Sequence, residues 1–150
     1  MQIESSAEPG LATAGSAMAR ILIIDDDDAV RKATGIVLET SGFDIVAVEN
    51  GPAGVEAVKN WPFDAVIVDI FMPGMDGFAT TRAIHQLSPA TPIIAVSGFM
   101  FQGRCPTMPD FHPMATEAGA VATLYKPLRP NELVQALTEA IGSRRVPHRV

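Results

Sequence analysis

Three aspartates are the residues of this sequence whose type and position point most directly to chemistry. Asp25 and Asp26 follow an apolar run of strand length, and Asp69 ends a second such run. If the two runs are neighbouring parallel strands, the three carboxylates share a pocket at one edge of the sheet. Because like charges raise one another's pKa, such a pocket is unfavourable without a cation, and oxygen ligands on a rigid sheet suit Mg²⁺. The alternative is that these acids are solvated loop residues.

Apolar runs and helical periodicities alternate along the chain, which is typical of βαβ units. The predicted strands span residues 20–24, 43–48, 63–69, 92–96 and 121–125. The predicted helices are one through 30–38 that Gly42 closes, then 52–60, 77–87, a short one from 110 or 113 to 118, and 131–141. This pattern predicts an α/β fold with a doubly wound, five-stranded parallel sheet in the flavodoxin-like order 2-1-3-4-5 and helices on both faces.

Finer features of these helices are also predicted from the sequence. Asp28 is expected to cap the first helix, with Asp27 beside it as a second acid at the helix start. The third helix is expected to turn four side chains inward: Phe78, Thr81, Ile84 and Leu87.

Composition limits the classes of function. The chain has 150 residues, a net charge of -6 and scattered basic residues, which argues against a nucleic-acid surface. The single cysteine, Cys105, cannot form an internal disulfide, and this is consistent with a reducing compartment. No apolar run approaches the ~20 residues of a membrane span, and the first residues do not resemble a signal peptide. We therefore expect a cytoplasmic protein that neither binds DNA nor inserts into a membrane.

The expected organisation is one domain between two short ends. Residues 1–18 are rich in Ala, Ser, Gly and Glu and are expected to form a disordered leader. Residues 19–142 are expected to form the domain, and residues 143–150 a short tail without an attached output domain.

Four segments at the ends of predicted strands resemble the motifs of response-regulator receiver domains. They span residues 21–31, 66–77, 93–98 and 125–128. Together the resemblance covers about residues 19–141, and the order of four motifs is highly specific. It implies a phosphorylation switch of two-component signalling or a phosphorelay, in which an aspartyl phosphate forms with Mg²⁺.

The resemblance also implies roles for individual residues. Asp69 resembles the phosphoacceptor and a metal ligand. Asp26 matches a direct Mg²⁺ ligand, Asp25 a direct or water-mediated one, and the backbone carbonyl of Phe71 the remaining protein ligand. Two further positions match groups that contact the phosphoryl oxygens: the Ser97 hydroxyl and the Lys126 ammonium. Pro127 resembles the proline that follows a cis peptide bond in this family.

The implied partners are a sensor histidine kinase or a histidine phosphotransfer protein, together with an unknown downstream protein. A homodimer stays open. We expect a signalling switch that catalyses only its own phosphorylation and dephosphorylation. The main alternative is a phosphorylation-independent receiver-like interaction module. A hydrolase with an aspartate nucleophile is disfavoured, because such chemistry generally needs a second acid two residues after the nucleophile, where this chain has Phe71.

The sequence departs from the family pattern in three respects. The stretch from Gly98 to Pro113 is long, and its prolines exclude a regular helix through most of it. Thr123 occupies the position where relatives commonly have an aromatic switch residue, so we expect the long loop to report phosphorylation instead. Phe71 and Phe99 are expected to hinder a hydrolytic water, which predicts a slowly decaying aspartyl phosphate.

Overall fold

The computed structural model of the protein describes residues 18–72, 76–98 and 111–145, the side chains of 144 and 145 apart. The predicted leader up to residue 17, the loop residues 99–110 and the end of the tail lie outside these ranges. Strands and helices alternate through the described part. They are β1 (Arg20–Ile24), α1 (Asp28–Thr40), β2 (Asp44–Val48), α2 (Gly51–Asn60), β3 (Ala65–Asp69), α3 (Gly77–Leu87), β4 (Ile93–Ser97), α4 (Phe111–Ala118), β5 (Ala122–Tyr125) and α5 (Pro130–Arg145).

The five strands form one parallel sheet in the order β2-β1-β3-β4-β5, which confirms the predicted fold class. The order reverses at β1, so β1 and β3 are neighbours although a strand and two helices separate them in the chain. Their register pairs Ile24 with Val68. The carboxyl ends of β1 and β3 therefore lie side by side, where ligands bind in folds of this type.

Side chains from successive strand residues point to opposite faces of the sheet and build a core on each. Ile21 and Ile23 pack with residues of α1 and α5 on one face. Leu22 and Ile24 pack on the other face, in the cluster that holds residues of α2 and α3. Both faces are thus covered, which explains why the strands read as continuous apolar runs.

The start of α1 corrects one prediction. The N-cap is Asp27, whose backbone is extended and whose Oδ1 accepts a hydrogen bond from the Val30 amide at 3.1 Å. Asp28, the predicted cap, is already the first helical residue. The end of the same helix is as predicted, because Gly42 takes the left-handed φ of 96° that ends many helices.

Two further predictions on helices are wrong. Leu87 is 46% exposed rather than inward, because it is the last residue of α3 and the buried face ends with Ile84. Helix α5 continues to Arg145 instead of ending at 141, since a helix tolerates an internal glycine such as Gly142 at a cost of about 1 kcal/mol. No helix in the described ranges is long and apolar enough to cross a membrane.

Candidate functional site

The three aspartates lie together at the carboxyl edge of the sheet. Asp69 is the last residue of β3, and Asp25 and Asp26 directly follow β1. One carboxylate oxygen from each lies within 4.8 Å of those of the other two. Asp25 is 5% exposed and Asp69 4%, whereas Asp26 is exposed. The neighbouring strands therefore bring the three acids into one partly buried cluster.

Lys126 is the cation of this cluster. It follows β5, and its Nζ lies 3.0 Å from Asp25 Oδ2 and 3.3 Å from Asp69 Oδ2. Its amide donates to the Ser97 carbonyl at 2.9 Å, and the Lys126–Pro127 peptide bond is cis, as predicted. A Cβ on Gly98 would lie 2.8 Å from Cδ of Lys126, so the absence of a side chain at 98 leaves room for the lysine stem.

Burial and charge set the protonation of the two central groups. Burial of the carboxyl, with a smaller contribution from the Asp25 charge, raises the pKa of Asp69 to about 6, against the opposing effect of Lys126. Burial lowers the pKa of Lys126, but the hydrogen bond to Asp25 and the charge of Asp69 outweigh it and leave that pKa raised. Lys126 is therefore cationic at neutral pH. The ionised form of Asp69 is disfavoured by burial and by the Asp25 charge, and an added positive charge would stabilise it.

Ser97 and Phe71 are the two remaining residues for which the sequence predicts a role in the site. Ser97 ends β4, is fully buried, and directly follows Val96, the residue that pairs with Asp69 in the sheet. The Phe71 amide donates to Asp69 Oδ1 at 3.2 Å, which orients that carboxylate. The exposed Phe71 ring packs edge-on against Phe78, with ring centroids 6.4 Å apart.

The segment between β3 and α3 ends in a close approach that was not predicted. The Gly77 amide donates to the Ile70 carbonyl at 2.9 Å, and a Cβ on Gly77 would lie 2.2 Å from Ile70 Cα. Asp76 caps α3, since its Oδ1 accepts from the Ala79 amide at 2.7 Å. The sequence contained a signal for the cap, because aspartate is a preferred N-cap residue and Asp76 directly precedes the predicted helix, but it contained none for the close approach of Gly77.

Arg31 is a further residue of the site region that sequence reasoning missed. Its Nη1 donates to the Asp25 carbonyl at 2.8 Å, and its Nη2 pairs with Asp28 Oδ1 at 2.6 Å. A cation three residues after Asp28 on a helix would have indicated the ion pair, but not the contact with the Asp25 carbonyl.

The donor set of the cluster fits a hard divalent cation. Three carboxylates face one ammonium, so negative charge is in excess, and two of the acids are buried. The described cluster contains only oxygen donors, which favours Mg²⁺ over softer metals.

A comparison with protein families identifies the chain. The sequence pattern of the response regulator receiver domain matches residues 21–138, most of the chain. The chain belongs to the response regulator receiver domain family. Receiver domains are signalling switches of two-component systems, are phosphorylated by histidine kinases or phosphotransfer proteins, and bind Mg²⁺ at an acidic site.

Solved structures place this receiver domain among close structural relatives. A CheY-like receiver domain protein from Methanospirillum hungatei JF-1 is 28% identical, with a TM-score of 0.75 over 85% of this chain and 96% of that chain. The receiver domain of sensor histidine kinase PA1611 from Pseudomonas aeruginosa PAO1 is 26% identical, with a TM-score of 0.72 over 84% of this chain and 99% of that chain. That structure holds a magnesium ion in its active site cleft.

Curated relatives are longer proteins. A cyclic di-GMP phosphodiesterase of Thermotoga maritima is 31% identical over 124 residues, which are 83% of this chain and 31% of that protein. The receiver domain thus spans about a third of that relative's length. The phosphodiesterase activity in that protein's name is therefore not assigned to this chain.

In the receiver domain, α4 contacts β5 at Thr123 and Tyr125. Thr123 Oγ1 lies 2.8 Å from Nδ1 of His112, and the Phe111 ring packs edge-on against Tyr125 with centroids 5.2 Å apart. The proposed readout through the long loop, and the role given to Phe99, concern residues outside the described ranges.

Proposed function

We propose that Asp69 accepts a phosphoryl group from the phosphohistidine of a sensor histidine kinase or a histidine phosphotransfer protein. The observation that carries the proposal is the position of this buried carboxylate, 3.3 Å from Lys126 Nζ and clustered with two further acids. The phosphorylated domain would signal through contacts with a downstream protein, without binding DNA or entering a membrane. The chain would act as a switch that catalyses only its own phosphorylation and dephosphorylation.

The chain's own groups orient the reaction. A carboxylate oxygen of Asp69 forms the new O–P bond while the N–P bond of the phosphohistidine breaks, and the imidazole nitrogen keeps the electron pair and takes a proton. The Phe71 amide holds one oxygen of Asp69, and Lys126 faces the other. Lys126 and the Ser97 hydroxyl would then contact the phosphoryl oxygens, over which the negative charge of the transition state is spread.

Four groups would hold the metal: the carboxylates of Asp25, Asp26 and Asp69, and the backbone carbonyl of Phe71. When bound, Mg²⁺ supplies positive charge against the phosphoryl oxygens and the crowded carboxylates.

The test is phosphorylation by a small-molecule phosphodonor, followed by intact mass. We expect a Mg²⁺-dependent gain of one phosphoryl group that Asp69→Asn abolishes. Asp44→Asn is the matched control, because Asp44 is an exposed aspartate whose side chain pairs with Arg20 on a neighbouring strand. Its adduct should equal that of the parent chain.

An absence of any adduct in a folded parent chain would contradict the proposal. It would favour the phosphorylation-independent interaction module, for which partner capture without phosphorylation is the next measurement.

A further inference from the structure

Arg31 is a largely buried cation beside the acidic cluster. Its side chain is 16% exposed, whereas the neighbouring Lys32 side chain is 73% exposed. Both cations pair with the same acid, since Arg31 binds Asp28 Oδ1 and Lys32 lies 3.2 Å from Asp28 Oδ2. Only Arg31 has the additional contact of 2.8 Å with the Asp25 carbonyl.

A positive charge at the position of Arg31 is electrostatically unfavourable unless neighbouring groups bind it. It lies in the first turns of α1, where the helix dipole disfavours cations. Asp28 compensates for this charge, and the planar guanidinium can then bind the carboxylate and a backbone carbonyl at once. Lysine lacks this planar fork, and the contact described for Lys32 is its ion pair with Asp28.

The Arg31 contact completes the fixation of Asp25. The carboxylate of Asp25 accepts from the Asp27 amide at 2.9 Å through Oδ1 and pairs with Lys126 through Oδ2. The Asp25 amide donates to the Val48 carbonyl at 3.2 Å. With Arg31 on its carbonyl, Asp25 is held on both sides of its backbone and at both carboxylate oxygens.

We propose that Arg31 is a positioning residue that holds the Asp25–Asp27 segment in its cation-binding conformation. It ties the turn that carries Asp25 and Asp26 to the rigid start of α1, so that both carboxylates keep their directions when the cation binds. The inference rests on the proposed function, because it takes Mg²⁺ as the cation of this site.

Charge and positioning make opposite predictions for Arg31, and this makes the proposal testable. A positive charge beside a cation site repels the cation, so charge alone predicts that removal of Arg31 or of Lys32 strengthens Mg²⁺ binding. Positioning predicts that removal of Arg31 weakens it. Lys32→Gln therefore serves as the matched control. Like Arg31→Gln, it removes one positive charge that pairs with Asp28, but it leaves the contact between Arg31 and the Asp25 carbonyl in place.

The experiment compares Mg²⁺ dissociation constants of the parent chain, Arg31→Gln and Lys32→Gln by calorimetry. We expect binding about tenfold weaker in Arg31→Gln, the lower end of the loss seen when groups that support metal ligands are removed. Lys32→Gln should bind as tightly as the parent or slightly more tightly. In the metal-free proteins, the Asp27 amide should exchange with solvent faster in Arg31→Gln only. If Arg31→Gln does not fold, Arg31→Met keeps the apolar stem and carries the same expectation.

Equal dissociation constants for the Arg31 and Lys32 variants, in a parent chain that binds Mg²⁺, would overturn the role of Arg31 and leave the proposed function intact. A parent chain that binds no Mg²⁺ would overturn both.

Discussion

At Asp69, burial and neighbouring charges act on the same carboxyl in opposite directions. Burial makes the charged form costly, Asp25 adds repulsion, and Lys126 relieves part of both. We predict that Asp69 titrates with a pKa of about 6 in the metal-free chain, and at lower pH when Mg²⁺ is present. Carbon-13 NMR of the carboxyl measures both values. A metal-free pKa near 4 would contradict the prediction.

The raised pKa of Asp69 has a consequence for stability with a defined sign. The native state binds the proton more tightly than the unfolded chain, whose aspartates titrate near 3.8. Protonation of Asp69 therefore stabilises the native state fully below the unfolded-state pKa of 3.8, and this stabilisation is lost as the pH rises through about 6. We therefore expect Asp69→Asn to be more stable than the metal-free parent at pH 7.5, with a difference that shrinks toward pH 4. Urea unfolding across this range checks it.

Phe71 tests whether an apolar side chain protects the proposed aspartyl phosphate. Its exposed ring lies two residues past Asp69 and packs against Phe78. A bulky apolar group beside the phosphoryl group hinders entry of water, so Phe71→Asn or Phe71→Glu should hydrolyse several-fold faster. Phe71→Leu stays apolar and should decay near the parental rate. Decay of the acyl phosphate, followed by mass, measures this, and equal rates in all variants would contradict it.

The clustering of the acids was predictable, but their supporting contacts were not. Acids at the ends of apolar runs indicate a shared edge, because parallel strands end together. Arg31 reaches the Asp25 carbonyl with its side chain, and Gly98 leaves room for the stem of Lys126. Both effects depend on where α1 and β5 lie in the fold. A sequence pattern carries no such distance.

Among the helices, two glycines make a matched pair for stability. A Cβ on Gly77 would lie 2.2 Å from Ile70 Cα, whereas a Cβ on Gly142 would have no atom within 4 Å. We predict that Gly77→Ala lowers the free energy of unfolding by about 2–3 kcal/mol, an overpacking cost. Gly142→Ala should raise it by about 0.5–1 kcal/mol, because alanine is the better helix former. Urea unfolding measures both, and destabilisation of similar size in the two variants would contradict the steric argument.

The errors in the helix predictions have common physical causes. Asp27 and Asp28 are chemically equal candidates for the cap, and the backbone conformation at residue 27 decides between them. Leu87 has the right spacing to face inward, but a helical period does not show where the buried face of the helix ends, and that face ends with Ile84. The last helix was predicted to end at Ile141, directly before Gly142, whereas α5 continues through this glycine to Arg145 because a longer helix can absorb its cost.

For the whole molecule, cation binding should couple to folding. A ligand that binds only the native state stabilises it by about 2.7 kcal/mol at a concentration 100 times its Kd. We predict that Mg²⁺ at that excess raises the unfolding temperature by about 10 °C. Scanning calorimetry measures the shift.

Two aspartate variants separate this coupling from general ionic effects. Asp26→Asn changes an exposed member of the acidic cluster and should lose most of the shift, whereas Asp44→Asn should keep it. Equal shifts in the two variants would contradict specific binding at the cluster.

At this scale the sheet order was predictable, because right-handed βαβ connections leave few topologies for five strands and five helices. The contacts of α4 with β5 were not, since a threonine at position 123 gives no sign that a histidine on a short helix will meet it.

The chain has one tyrosine and one tryptophan. Tyr125 adjoins Lys126 and packs against Phe111, while Trp61 follows the end of α2 and is exposed. Biosynthetic labelling with fluorotyrosine and fluorotryptophan would therefore give two fluorine resonances, each from a known place in the molecule. The first would follow events at the acidic edge, and the second would serve as an internal reference in the same spectrum.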